Sequence, residues 1–152
     1  MTTANQLASL GNSPAFSAYT SSGQTLSNST FTKVSLNTKV FDTASAFDAT
    51  TNYRFTPQVA GYYQINGAIG TVGAALGYSQ ISIYKNGSIN TQGSGCPNNT
   101  VVGGICNVSA VIYLNGSTDY VELFAWQNSG GNLALSTATG FNTFSGSLVR
   151  AA

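Results

Sequence analysis

The sequence predicts an all-β fold, an antiparallel sandwich or jelly roll. Apolar and polar residues alternate with the two-residue period of a strand in several short stretches, for example 31–40. Two Asn-Gly pairs, at Asn86-Gly87 and Asn115-Gly116, each lie between apolar runs and indicate two-residue hairpins. After residue 13 no long helical pattern interrupts these stretches, which is typical of sandwiches and jelly rolls.

The first thirteen residues are predicted to form a short helical or extended arm ahead of a single domain at 14–152. Leu7 and Leu10 are three residues apart, on one face of a helix over 3–10 that Gly11 would end. Two helical turns do not persist alone in water, so a disordered lead-in is the alternative. If the arm is functional, we expect its leucines to dock on a neighbouring subunit or shell.

Strand assignments follow from the same alternation. Over 31–40, Phe31 and Lys33 are predicted to share one side of a strand while Val34 and Leu36 share the other. The Asn86-Gly87 hairpin would join a strand at 80–85 to one starting at Ser88. The Asn115-Gly116 hairpin would join 108–114 to 120–126.

The stretch 120–126 carries apolar side chains on both faces, with Glu122 among the residues of the second face. Its core face would carry Val121, Leu123 and Ala125. The opposite face would carry the aromatic residues Tyr120, Phe124 and Trp126. Because exposed aromatic rows usually mark an interface, we expect this second face to contact another protomer. Coverage by loops of the same subunit is the alternative.

Charge is unusually scarce, since only 6% of the 152 residues are Asp, Glu, Lys or Arg, against about 25% in an average globular chain. The net charge is +1, so no basic stripe exists to neutralise several phosphates, and nucleic-acid binding is not expected. No apolar run reaches the roughly 18 residues of a membrane-spanning helix. Surfaces with few charges associate without desolvating ions, which favours an oligomer. Compositional drift in an extracellular or viral protein is the alternative.

Cys96 and Cys106 lie in a glycine-rich segment between two predicted strands. A bridge between them would close a loop of about ten residues and contribute about 2–3 kcal/mol in the chain-entropy estimate. Two free thiols are the alternative. Two thiols in a chain without histidine do not make a metal site.

Enzymatic activity is not expected, and no cofactor is predicted. The chain has no histidine, so Ser-His and Cys-His dyads are excluded. The carboxylates Asp42, Asp48, Asp119 and Glu122 show no spacing that demands catalysis, and turn capping accounts for isolated aspartates.

Several motifs together resemble the globular C1q/tumour-necrosis-factor jelly-roll family. The block at 55–65 has an aromatic residue, five further residues, and then Gly-x-Tyr-x-Ile, as Phe55, Gly61, Tyr63 and Ile65. Phe31, Asn37, Phe41 and Phe47 fit the first half of that signature. The family's later strands are matched by Asp119-x-Val121-x-Leu123 and by Phe144-x-Gly146-x-Leu148, and its opening strand by residues 14–18.

The resemblance implies a ten-strand-like jelly roll that assembles as a homotrimer. It adds Tyr62, inside the matched block, to the interface candidates Tyr120, Phe124 and Trp126. Members of this family can bind calcium through loop carboxylates, and here Asp42 and Asp48 would contribute together with Asn and backbone oxygens. Neither belongs to a definite site motif.

Two functions are compatible with these observations. The first is a bacteriophage virion structural protein, a homotrimeric capsid decoration (cement) protein that docks on the major capsid protein or another virion protein. The second is the tip of a tail fibre or spike, which binds a host receptor or surface glycan through the loops at 93–105 and 127–139. The short stretch before the domain favours decoration. A secreted complement-type protein is less compatible, since the sequence shows no export signal and no collagen stalk.

Overall fold

The computed structural model describes residues 13–72, 76–98 and 104–152, and these residues form thirteen strands and no helix. Within this described part, therefore, no helix is available to cross a membrane. Residues 1–12 of the predicted arm, with Leu7 and Leu10, lie outside the described residues. The strands are β1 Ala15–Thr20, β2 Thr25–Leu26, β3 Thr32–Lys33, β4 Thr38–Asp42, β5 Phe47–Asp48, β6 Arg54–Phe55, β7 Gly61–Val72, β8 Tyr78–Lys85, β9 Ser88–Pro97, β10 Ile105–Leu114, β11 Val121–Gln127, β12 Leu133–Leu135 and β13 Asn142–Ala151.

The strands form two antiparallel sheets. In the first sheet, β4, β1, β13, β7 and β10 lie side by side, and β12 and β2 extend it at the far end of β7. The second sheet has the order β5-β6-β11-β8-β9, and β3 also pairs with β11. This is the predicted jelly-roll sandwich, and consecutive strands repeatedly change sheet.

The core lies between the sheets and is built around aromatic rings. Phe16 of the first sheet stacks on Phe55 and Phe47 of the second, with ring centres 4.3 and 5.0 Å apart. Phe144 meets Phe16 edge to face at 5.2 Å. Pairs of this kind contribute about 0.5–1.5 kcal/mol each beyond the area they bury. The signature residues Phe55, Tyr63, Val121, Leu123 and Phe144 are all buried here.

Tyr63 shows how the core accepts a polar atom. Its ring is fully buried, and its hydroxyl donates a hydrogen bond to the Val59 carbonyl at 2.7 Å. Burial raises the pKa of Tyr63 to about 12. The neighbouring turn therefore holds the neutral phenol in place.

Phe31 is not a core residue, so its predicted place in the core signature is wrong. In β3, Lys33 pairs with Phe124 of β11, and both side chains face away from the core. Since residues two apart share a strand face, Phe31 lies on that outward side as well. Val34 and Leu36 fill the core instead. Phe41, another member of the matched signature, is 48% exposed.

One of the two predicted hairpins forms. Asn86-Gly87 connects β8 to β9, and both residues have the positive φ, 52° and 79°, that a tight hairpin turn needs. The second predicted hairpin is wrong, because β10 belongs to the first sheet and β11 to the second. Asn115-Gly116 therefore begins a loop that crosses between the sheets.

Candidate functional site

The outward side of the first sheet is the most extensive candidate surface. We call it the first-sheet face and define it by the outward residues of β1, β13, β7 and β10. They are Ala15, Ser17, Tyr19, Thr143, Ser145, Ser147, Tyr62, Gln64, Asn66, Ala68, Ile105, Asn107, Ser109, Val111 and Tyr113. None of these residues is charged. The exposed Arg150, which pairs with Tyr62, stands at the margin of the face.

One end of this face is apolar. Tyr62 of β7 and Tyr113 of β10 are register partners, and their ring centres are 5.5 Å apart. Their exposed fractions are 47% and 43%, while Val111 beside them is 58% exposed. A bulge in β13 adds Val149, which is also exposed. Contiguous exposed apolar residues on a sheet commonly mark a protein interface.

The middle of the face is polar but neutral. The Gln64 side-chain amide donates to Ser109 Oγ at 2.9 Å and to Asn66 Oδ1 at 3.2 Å. Ser109 Oγ also contacts Asn66 Oδ1 at 2.9 Å, so the three side chains bond one another across β7 and β10. They present amide and hydroxyl groups to the surface without an ionic charge.

Short side chains leave clefts on the first-sheet face. A cleft of about 420 Å³ is lined by residues of β7, β10 and β13, including Asn66, Asn107 and Thr143. A second of about 290 Å³ lies beside Tyr19 and Val40. Both are open to solvent, so they offer recesses that the side chains of another molecule can enter.

The four predicted interface residues do not share one surface. Tyr62 lies on the first-sheet face, whereas Phe124 and Trp126 lie on the outward side of the second sheet. Tyr120, next to that sheet, has its ring 4.3 Å below the Arg54 guanidinium. Tyr62 and the other three candidates therefore lie on opposite sides of the sandwich, because β7 and β11 belong to different sheets.

The aromatic rings of the second sheet are partly covered by the same chain. Phe124 stacks on Tyr84, with ring centres 3.8 Å apart. Trp126 lies 6.3 Å from the ring of Phe31 and 5.3 Å from that of Tyr78. This is the alternative of intrasubunit coverage, achieved by neighbouring rings instead of loops.

The carboxylates Asp42 and Asp48 hold loops together. Asp42 accepts hydrogen bonds from the backbone N–H groups of Ala46 and Phe47, at 2.9 and 3.0 Å. Asp48 accepts three more, from residues 50–52. These bonds stabilise the charged form and hold the pKa of Asp48 well below its usual range. Among the described residues no group of three or more side chains is arranged to hold a metal ion.

Asp119 and Glu122 are also committed to structural contacts. Lys85 Nζ lies 2.9 Å from Asp119, and Asn86 donates to the same carboxylate at 2.7 Å. Hydrogen bonds from Asn86 and Lys85 lower the pKa of Asp119. Glu122 is buried and forms a short ion pair with Lys33 at 2.5 Å. These acids therefore support turns and strands, and their placement does not resemble a catalytic pair.

Cys96 and Cys106 are joined in a disulfide with their Cα atoms 5.6 Å apart. Cys96 lies in β9 of the second sheet and Cys106 in β10 of the first. The sequence left a disulfide and two free thiols as alternatives, and the structure has the disulfide. It connects the two sheets along one side of the sandwich.

Sequence reasoning missed Val111 and Tyr113 as surface residues. The signal was present, since the run Val111-Ile112-Tyr113-Leu114 is apolar at every position. A strand in which both faces are apolar predicts that one face meets the core and the other meets a second layer. The structure shows Ile112 and Leu114 buried and their two neighbours exposed.

Comparisons with known proteins identify the fold. No family model matches the sequence, and no curated protein matches it significantly. Among solved structures, murine APRIL aligns with a TM-score of 0.66 and 11% identity over 90% of this chain and 99% of its own. Vertex protein P5 of the phage PRD1 aligns with a TM-score of 0.65 and 16% identity, over 90% and 97%. Eiger TNF from S. frugiperda aligns at 0.60 and 14%, over 92% and 93%. The described chain is thus a C1q/tumour-necrosis-factor-like jelly roll.

Proposed function

We propose that this protein is a non-enzymatic structural component of a bacteriophage virion, a homotrimer that decorates the outer surface of the capsid. The proposal depends on one observation, the first-sheet face, which is uncharged, apolar at one end and recessed between β7, β10 and β13. Burying such a face in a second copy of the chain desolvates no ion within it. It is therefore suited to permanent self-association.

The margins of the face agree with this use. Lys85 lies at the edge, with its Nζ 5.8 Å from the centre of the Tyr113 ring, but Asp119 already neutralises it at 2.9 Å. Tyr62 and Tyr113 supply rigid apolar area with hydroxyl groups that can find new partners in an interface. Of the residues predicted for the interface, Tyr62 is the one that lies on this face.

Two further observations support a virion role. The likeness to a phage vertex protein extends over nearly the whole of both chains. The surface gains its solubility from Ser, Thr and Asn in place of charges, so its contacts depend little on salt. The docking partner in this proposal is the major capsid protein or another virion protein, with Leu7 and Leu10 of the arm as the docking residues.

The number of copies per particle tests this role. Quantitative gel analysis of purified virions is expected to give hundreds of copies of the chain for a decoration protein. Only a few copies per particle would contradict decoration. That result would support the second candidate, a receptor- or glycan-binding fibre or spike tip.

A further inference from the structure

We propose a binding site for uncharged sugars at one end of the second sheet, on the side of the sandwich opposite the first-sheet face. We call it the aromatic platform and define it by the rings of Tyr78, Trp126 and Phe31 with the side-chain amides of Asn28 and Asn128. Its ligand class is a neutral pyranose of a polysaccharide or surface glycan. The proposal rests on the proposed function in one respect, namely that self-association buries the first-sheet face and leaves the second sheet free.

The three rings form a continuous, inclined surface. Tyr78 and Trp126 have ring centres 5.3 Å apart and planes 49° apart, while Trp126 and Phe31 are 6.3 Å and 41° apart. Because these rings are tilted toward one another instead of stacked, each covers the face of its neighbour only in part. Tyr84 and Phe124, farther along the sheet, differ in this respect, since they stack at 3.8 Å.

Tyr78 is the most accessible of these rings. It is 43% exposed, whereas Trp126 and Phe31 are half-buried. Beneath it Gly95 lacks a side chain, and a Cβ there would come within 3.3 Å of the Tyr78 ring. The Tyr78 ring therefore lies close to the backbone of β9 and is still partly exposed, as stacking against the C–H face of a sugar requires.

Two amides beside the rings are oriented by the backbone. Asn128 Oδ1 accepts the Tyr78 N–H at 2.8 Å, and Asn28 Oδ1 accepts the Gly130 N–H at 2.8 Å. With each oxygen held in this way, the Nδ2 ends point away from those backbone groups. Both residues are exposed, and in the described part of the chain neither Nδ2 has a hydrogen-bond partner. They are preorganised donors for sugar hydroxyl groups.

The charge around the platform selects a neutral ligand. The nearest cation along the sheet, Lys33, is already paired with the buried Glu122. Arg54, which pairs with Glu122 in the ladder, covers the ring of Tyr120 beyond it. An anionic glycan would find no free positive charge at the rings, whereas a neutral sugar needs only ring faces and hydrogen-bond donors.

The experiment uses Trp126, the only tryptophan of the chain, as a reporter. The intact protein is screened on an array of neutral and anionic bacterial polysaccharides, and Trp126 fluorescence is then titrated with oligosaccharides of the retained neutral class. We expect a saturable fluorescence change. Tyr78→Ala and Asn128→Asp should each weaken binding at least about tenfold, as removal of a central contact does.

Tyr113→Ala is the matched control, since Tyr113 is as exposed as Tyr78 but lies on the first-sheet face. It should leave sugar binding unchanged even if it weakens self-association. Thermal unfolding of each variant separates a lost site from a lost fold. The proposal is overturned if no neutral glycan is retained, if only anionic glycans bind, or if binding survives in both folded platform variants. Sugar-independent binding of a purified virion protein that Tyr78→Ala abolishes would assign the rings to a protein contact instead.

Discussion

Cys96 and Cys106 connect the two sheets covalently, because β9 and β10 run beside each other on opposite layers of the sandwich. Each cysteine is already fixed by its own ladder, Cys96 opposite Ser79 and Cys106 opposite Ile69. The bridge therefore reinforces a geometry that strand pairing has set.

Replacing both cysteines by serine is expected to lower the free energy of unfolding by about 3 kcal/mol, the loop-closure value for roughly ten residues. The strand content should stay the same, since the ladders remain. Urea unfolding followed by far-ultraviolet circular dichroism measures both. Wild-type protein treated with reductant should match the double variant, and an unchanged urea midpoint would contradict the stapling role.

Asp119 connects two turns, and this predicts a dependence of stability on pH. Its carboxylate accepts hydrogen bonds from Asn86 in one turn and from the Asn115 N–H in the other, at 2.7 and 3.1 Å. Because these contacts lower its pKa in the folded state, the stability that they contribute is complete above about pH 4, near the unfolded value. It is lost as the pH falls through the folded pKa.

Asp119→Asn should therefore reduce the melting temperature at pH 7 and flatten its decline as the pH falls below about 4. Asp48, whose pKa is also lowered, accounts for the acid sensitivity that remains. Scanning calorimetry of both proteins across this range checks the prediction. Parallel pH profiles for the variant and the wild type would show that Asp119 does not contribute.

Gly146 is predicted to be intolerant of a side chain. A Cβ at this position would lie 2.6 Å from Ile65 Cδ1 and 2.9 Å from Phe16 Cε1, inside the core. Gly146→Ala should cost about 1–3 kcal/mol, as overpacking of a filled core does. Gly131→Ala is the control, because a Cβ there meets nothing within 4 Å. Equal denaturation midpoints for the two variants would contradict this assignment.

A matched pair of glutamines tests which sheet mediates self-association. Gln64 is half-buried on the first-sheet face, and Gln80 is half-buried opposite Trp126 on the second sheet. Gln64→Glu should shift the oligomer toward monomer, because a carboxylate is costly to bury without a partner. Gln80→Glu adds the same charge to the other side and should leave the oligomer intact. Light scattering at equal concentrations distinguishes them, and the reverse result would place the interface on the second sheet.

Local sequence patterns predicted much of the fold. The pair Asn86-Gly87 correctly predicted a hairpin, because a tight turn requires positive φ at both central residues and Asn and Gly adopt it readily. Pairing between strands distant in sequence decided the rest. The sequence near Asn115 does not show that β10 pairs with β7 while β11 pairs with β8, so the predicted hairpin is a crossover instead.

The candidate surfaces were harder to predict for the same reason. Alternation shows that Tyr62 and Trp126 both face away from the core, but it does not show that they face opposite directions. Only the assignment of β7 and β11 to different sheets reveals this. Phe31 was misplaced by the family signature, whereas the alternation over 31–40 had set it opposite Val34 and Leu36, the residues that the structure buries.

Sedimentation velocity of the wild-type protein at micromolar concentration, in physiological salt, is the most direct measurement. A homotrimer that buries the first-sheet face around Tyr62 and Tyr113 should sediment as a single species of three times the 15.7 kDa subunit mass. A well-folded species of one subunit mass at that concentration would contradict the assembly on which the proposed virion role depends.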